Sequence, residues 1–165
     1  MSVTGKSPGK SPGKSPGNRP DNRCHCGALR GASRRVTQLY DQALAPVGLR
    51  ITQYPVLAWL AGSGPMTMSV LAARMVMDRA TLGHNLRPLE ASGLVRIATG
   101  LDRRSRVVTL TDAGRERFTQ ARPHWRVAQR AFEAAFGEAD SAALRTALTR
   151  LAGIDFCLPE GAQPS

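Results

Sequence analysis

The chain has 165 residues, the size of one domain, and 42% of them are hydrophobic but only 5% aromatic. No stretch approaches the roughly 18 uninterrupted apolar residues of a membrane span, and the N-terminus lacks the apolar core of a secretory signal, so a soluble, cytoplasmic protein is expected. Twenty-three Lys and Arg against 12 Asp and Glu give a formal charge of +11. That excess points to a polyanionic partner, with nucleic acid ahead of an anionic membrane surface.

The charge falls into two parts. Lys6, Lys10 and Lys14 are the only lysines, and with Arg19 and Arg23 they face Asp21 alone, which leaves +4 on residues 1–23. The remaining +7 is carried entirely by arginines, whose planar forks suit phosphates and base edges. Residues 1–20 contain the repeat GKSPGKSPGKSPG. Pro and Gly every few residues prevent helix and sheet, so residues 1–23 read as a disordered basic tail. It serves as a solubilising extension or touches DNA phosphates without specificity.

From Gly27 the pattern turns helical. Leu29, Ala32, Val36, Leu39 and Ala43 recur at three- and four-residue steps and predict a helix with one apolar face up to Pro46. After a turn at Pro46-Val47-Gly48, Thr52 caps a second helix with Pro55 in its first turn and Val56, Leu57 and Leu60 inward. Gly62-Ser63-Gly64-Pro65 ends it. A short helix fits 69–75, with Val70, Leu71 and Met75 inward. Asp78 then caps a helix to about Ser92 whose stripe is Leu82, Leu86 and Leu89. Gly93 is a left-handed terminator followed by the apolar Leu94, and Pro88 should kink the helix or loosen its last turn.

Two β-branched segments, 95–99 and 106–110, flank the charged Gly100-Leu101-Asp102-Arg103-Arg104-Ser105 and predict a hairpin. Thr111 caps a long helix with Phe118, Ala121, Trp125, Ala128, Phe132 and Ala135 on one face, bent at Pro123. After Gly137 a last helix carries Leu144, Leu148, Leu151 and Ile154.

This order defines a mainly α winged helix-turn-helix with a two-stranded β wing, flanked by N- and C-terminal helices. In such an arrangement the second helix of the turn lies in the major groove, and the hairpin reaches the flanking backbone or minor groove. Arg79, Thr81, His84, Asn85 and Arg87 form the polar face of that helix, and Ser69 opens the helix before it. Arg matches guanine O6 and N7, and Asn matches adenine. Arg103, Arg104 and Arg106 crowd the wing with Asp102 to offset them, a grouping that calls for an anion. The carboxylate of Asp102 is expected to orient a wing arginine. No Ser/His/Asp constellation, phosphate-binding Gly loop or carboxylate pair suggests an enzyme; His25, His84 and His124 are scattered. The competing reading is an architectural winged-helix protein that coats DNA without sequence preference.

The run Asp102-Arg103-Arg104-Ser105-Arg106-Val107-Val108-Thr109-Leu110-Thr111-Asp112-Ala113-Gly114 resembles the wing signature of the multiple-antibiotic-resistance regulator (MarR) family, Asp-x-Arg followed by a strand ending Leu-Thr-x-x-Gly. LAARMVMDRATLGHNLRPLEASGLV is similar to the family's helix-turn-helix, and the resemblance runs from about Leu29 to Ile154. It implies a homodimer built on residues 24–50 and 113–156 around a DNA-binding lobe at 51–112, with 157–165 as a tail. It also implies repression at a pseudo-palindromic double-stranded operator, relieved by a small ligand or by thiol oxidation. By resemblance Arg104 enters the minor groove, and Arg79, Thr81, His84 and Asn85 fall where the family reads bases. Pro88 and the Lys-Ser-Pro-Gly tail depart from the pattern, and Pro88 bears on the reach of Arg87.

No cofactor is required by any of this, but an effector is implied. Cys24, Cys26 and Cys157 are too few for a disulfide framework. Cys24 and Cys26 stand near a helix start, beside Arg23 and Arg30, where thiolate is favoured. In the MarR arrangement both chain ends converge, so a pair between Cys24 or Cys26 and Cys157 is implied for a redox switch. A soft metal on Cys24, His25 and Cys26, a small molecule near Tyr40, Tyr54, Trp59, His124 and Trp125, and ordinary thiols without a sensing role are the alternatives.

Overall fold

The computed structural model describes residues 24–100, 102 and 105–157. The basic tail, Arg103 and Arg104 lie outside the described residues. The chain divides into two units, residues 1–34 and 35–165. Helix α1 (His25–Leu44) begins in the first and ends in the second. At its start Cys24 Sγ accepts the Gly27 N–H at 3.3 Å, meeting one of the amides that a helix N-terminus leaves unpaired.

In the second unit α1 ends in a 3-10 turn (Ala45–Val47), closed by Gly48 at φ +66°. The backbone carries on through α2 (Tyr54–Ser63), β1 (Met66–Thr67), α3 (Met68–Arg74), α4 (Arg79–Ala91), β2 (Val95–Thr99), β3 (Arg106–Leu110), α5 (Asp112–Phe136) and α6 (Glu138–Ala152). The wing strands fall where their β-branched residues predict. A third strand, β1, adds to them, giving the antiparallel order β1-β3-β2 with Met66 opposite Val108.

The core is a leucine cluster. Leu44, Leu57, Leu60, Leu71, Leu82, Leu86 and Leu89 are essentially inaccessible, joined by Val56 and Val108. Truncating any one of these leucines to alanine costs about 2–5 kcal/mol. They come from α1, α2, α3 and α4, so the cluster fixes α4 against the preceding helices and the sheet. Partly buried Phe118 and Trp125 of α5 close it.

Several expectations are corrected. The buried residues of α1 are Tyr40 and Leu44, whereas Val36, Leu39 and Ala43 of the expected stripe are only half-buried. α2 starts after Gln53, which makes no side-chain cap, and Thr52 is not its cap. α3 is capped by Thr67, whose side chain accepts the Val70 N–H, and Val70 itself is 46% exposed. On α6 only Ser141 is buried, and Ile154 is exposed beyond the helix end. Pro88 does not loosen the last turn of α4: the helix runs to Ala91, and the Pro88 carbonyl accepts both the Ser92 N–H and its hydroxyl. Pro123 likewise lies inside a continuous α5.

Candidate nucleic-acid interface

α4 is set by both of its ends. At the start Asp78 accepts the Thr81 N–H and the Thr81 hydroxyl, each at 2.7 Å. These bonds, the hydroxyl first, hold the Asp78 carboxyl below the usual carboxylate range. At the end Gly93 adopts φ +70°, and the Leu94 N–H returns to the Leu89 carbonyl at 2.9 Å. This is the left-handed stop the sequence predicts.

At about 100° per residue, the face opposite Leu82, Leu86 and Leu89 holds Ala80, His84 and Arg87. His84 and Arg87 are exposed, so the structure brings these two expected residues onto the outward face. Thr81 borders it, but its hydroxyl is engaged by Asp78. Asn85, one turn on from Thr81 along the same flank, is half-buried, and its Nδ2 donates to Met77 Sδ at 3.8 Å.

The wing meets this helix through its strand register. Val95, Ile97 and Thr99 pair with Leu110, Val108 and Arg106, so Arg106 shares a face with buried Val108. The same face leaves the core and becomes cationic within two residues. There Arg106 joins Ser105, Thr67, Ser69 and Arg79 around a polar cleft of about 260 Å³, with Asp102 also on its wall. Ser69 at the start of α3, Arg79 at the start of α4 and Arg106 at the wing thus converge from three elements. Below the tip the Asp102 carbonyl accepts the Ser105 N–H and hydroxyl, both at 2.8 Å, which rigidifies the turn beside Arg106.

The wing is also tied to α5. Thr111 Oγ1 caps α5 by accepting the Gly114 N–H and donates to the Gly93 carbonyl at 2.6 Å. One residue therefore links the end of α4, the end of the wing and the start of α5. Thr67 and Ser105 in the cleft went unread in the sequence: small hydroxyl residues beside a turn signal caps, not a shared cleft.

The effector candidates separate. Tyr54, Trp59 and Trp125 line one cavity of about 400 Å³ with Ile51 and Ala58. Tyr54 and Trp125 are stacked with centroids 5.7 Å apart. Burial raises the Tyr54 hydroxyl pKa, against the lowering effect of Arg122 and Arg126. Tyr40 belongs elsewhere: it donates to Gln129 Oε1 at 2.6 Å and lines a separate groove of about 390 Å³ with Val36, Phe132, Leu144 and Leu148. His124 is half-buried on α5. Cys24, Cys26 and Cys157 are exposed free thiols. Among the described residues no group of three or more His, Cys, Asp or Glu side chains gathers to hold a metal, so Cys24, His25 and Cys26 form no ligand set there. No helix among them is long and apolar enough to cross a membrane.

A helix-turn-helix with a hairpin packed beside its second helix, and cationic side chains at their junction, is a winged helix-turn-helix. Comparison with known proteins refines that class. The MarR family profile matches residues 47–105. MosR, a transcriptional regulator of M. tuberculosis solved in complex with DNA, is 40% identical; the match covers 78% of this chain and 93% of MosR, with a TM-score of 0.72. The transcriptional repressor CouR of Rhodococcus jostii, bound to a 23-mer DNA duplex, is 28% identical over 76% of this chain and 89% of CouR, with a TM-score of 0.68. The HTH-type transcriptional regulator YwoH of Bacillus subtilis is 27% identical over 89 residues, 54% of this chain and 65% of YwoH. The match thus spans just under two thirds of that relative's length. The chain belongs to the MarR family of transcriptional regulators.

Proposed function

We propose that the protein is a sequence-specific DNA-binding repressor, not an enzyme, that acts in the cytoplasm as a homodimer on a pseudo-palindromic operator. The observation that carries this reading is the convergence of Ser69, Arg79 and Arg106 on one polar cleft beside the outward face of α4. Cations and hydroxyls at this junction suit a phosphate, which would hold His84 and Arg87 against base edges. Asn85 joins them once its amide leaves Met77. The family resemblance assigns Arg104, next to Arg103 in the sequence, to the flanking minor groove. MosR and CouR, both solved with DNA, support the same use of the fold.

The dimer is supported by apolar surface left open on one chain. Val127, Phe136, Leu148 and Phe156 are 41–72% exposed; Leu148 lines the groove with Tyr40 and Phe132, and Phe136 is in ring contact with Phe132. A second copy of the chain covers these residues and sets the two recognition helices at a half-site spacing.

Release of the operator is assigned to thiol oxidation. Cys24 stands exposed at the N-terminus of α1, its sulfur accepting the Gly27 amide. Two-electron oxidation by a peroxide gives the sulfenic acid and water, and condensation with Cys26 or Cys157 gives a disulfide and a second water. The stacked Tyr54 and Trp125 beside their cavity support a second reading, in which a flat apolar effector enters there.

The test is binding to the gene's own upstream region against a shuffled duplex, near physiological salt, with and without mild peroxide. Preference for the native duplex that disappears on oxidation and returns with a thiol reductant, which leaves a methionine sulfoxide intact, supports the full reading. Equal affinity for both duplexes supports architectural coating instead. Preference untouched by peroxide moves the effector to the aromatic cavity.

A further inference from the structure

Four of the five methionines, Met66, Met68, Met75 and Met77, fall within 12 residues around the helix-turn-helix. Met66 is buried, whereas Met75 and Met77 are half-buried. Between them stands Val76, 70% exposed, at a left-handed φ of +52°. Met75 and Met77 line a cavity of about 350 Å³ whose walls include Trp59, Arg74 and Asn85. The Arg74 guanidinium lies over the Trp59 ring, 4.9 Å from its centroid.

Met77 is thus partly open to solvent, and its sulfur touches a side chain of α4. A thioether is a weak acceptor, so the Asn85 amide at 3.8 Å is held lightly and can leave for a stronger partner. A sulfoxide oxygen on the same sulfur would be a strong acceptor within reach of that amide. It would also make an apolar side chain polar where it packs against the core.

We propose that Met77 is an oxidation-sensitive modification site and that its sulfoxide weakens DNA binding by holding Asn85 against the turn and loosening the seat of α4. The oxidant is a peroxide. The sulfur lone pair attacks one peroxide oxygen, the O–O bond breaks, and the oxygen passes to sulfur as its proton shifts to the departing oxygen. Sulfur loses two electrons, the peroxide gains them, and water or an alcohol leaves. The site is independent of the thiols and rests on the reading of α4 as the DNA-facing helix.

The test uses the full chain with Cys24, Cys26 and Cys157 replaced by serine, treated with hydrogen peroxide. Peptide mass spectrometry locates the added oxygen, and affinity for the native upstream duplex is measured before and after, in this background and in Met77→Leu. Oxidation is expected at Met77 before Met66, with affinity falling between about fivefold and a hundredfold, the range of one base pair's recognition. Methionine sulfoxide reductase should restore it, and the ratio of oxidised to unoxidised affinity should return to near one in Met77→Leu. The proposal is overturned if Met77 stays unmodified, if Met77→Leu loses affinity to the same extent, or if the sulfoxide forms and binding is unchanged. Failure of the unoxidised protein to prefer the native duplex sinks the DNA reading separately. In that event preferential oxidation of Met77 with a lowered melting temperature still upholds the site, and indiscriminate oxidation overturns it.

Discussion

Gly114 lies so close to the carbonyl oxygen of Leu94 that a Cβ at position 114 would overlap it and crowd Leu110 Cδ1. The contact explains the Leu-Thr-x-x-Gly run as a joint. Leu110 ends the wing, Thr111 caps α5 and binds the Gly93 and Leu94 carbonyls, and Gly114 lets α5 approach the start of β2. Replacing a helical glycine by alanine normally gains up to about 1 kcal/mol. Here the backbone obstacle reverses the sign, and Gly114→Ala should destabilise the fold by about 1–3 kcal/mol. Urea denaturation measures it, and an unchanged or raised midpoint would remove the joint.

Val76 should respond in the opposite direction. Its left-handed φ is costly for a β-branched side chain, of order 1–3 kcal/mol, and 70% exposure means it contributes little burial. Val76→Gly is therefore expected to raise the melting temperature by roughly 2–4 °C, corresponding to about 1 kcal/mol for a chain of this size. A lower melting temperature would mean the turn carries no strain there.

Asp78 gives a pH dependence with a definite sign. The bonds from Thr81 hold its carboxyl below the ordinary carboxylate value, so folding favours the charged form. The cap's contribution is complete above that value and is lost as pH falls through the lowered one. Amide exchange at Thr81 should speed up in that window, and Asp78→Asn should flatten the response. Protection that grows on acidification would contradict the assignment.

Arg106 and Arg87 should fail differently. With Arg106 proposed to grip a phosphate, Arg106→Ala should lower affinity evenly across sequences and shrink the salt slope by about 1. Arg87→Ala should cost about 1–3 kcal/mol on the native site and relax discrimination at one position. The comparison is a salt titration on matched and mutated duplexes. Identical behaviour of the two variants would remove the division between positioning and reading.

Much of the DNA-binding half was legible because its signals are local. Asp78 and Thr111 cap through neighbours three residues away, Leu82, Leu86 and Leu89 repeat at helical spacing, and the wing strands are β-branched on both sides of a charged turn. β1 was not legible, since two residues have no period and the strand exists only because β3 offers an edge. The apolar stripe on α1 misled for another reason: periodicity shows that a face is apolar, not what covers it. Helical spacing puts Asn85 on the polar, base-reading face of α4. Its contact with Met77 depends on how the turn folds back, which spacing does not encode.

The most direct test of the central claim is hydrogen–deuterium exchange of the full chain with and without the native upstream duplex. DNA should slow exchange at the start of α3, along α4 and through residues 95–110, and a shuffled duplex at the same salt should do so less. Protection confined to residues 1–34, with α4 and the wing unchanged, would contradict the account.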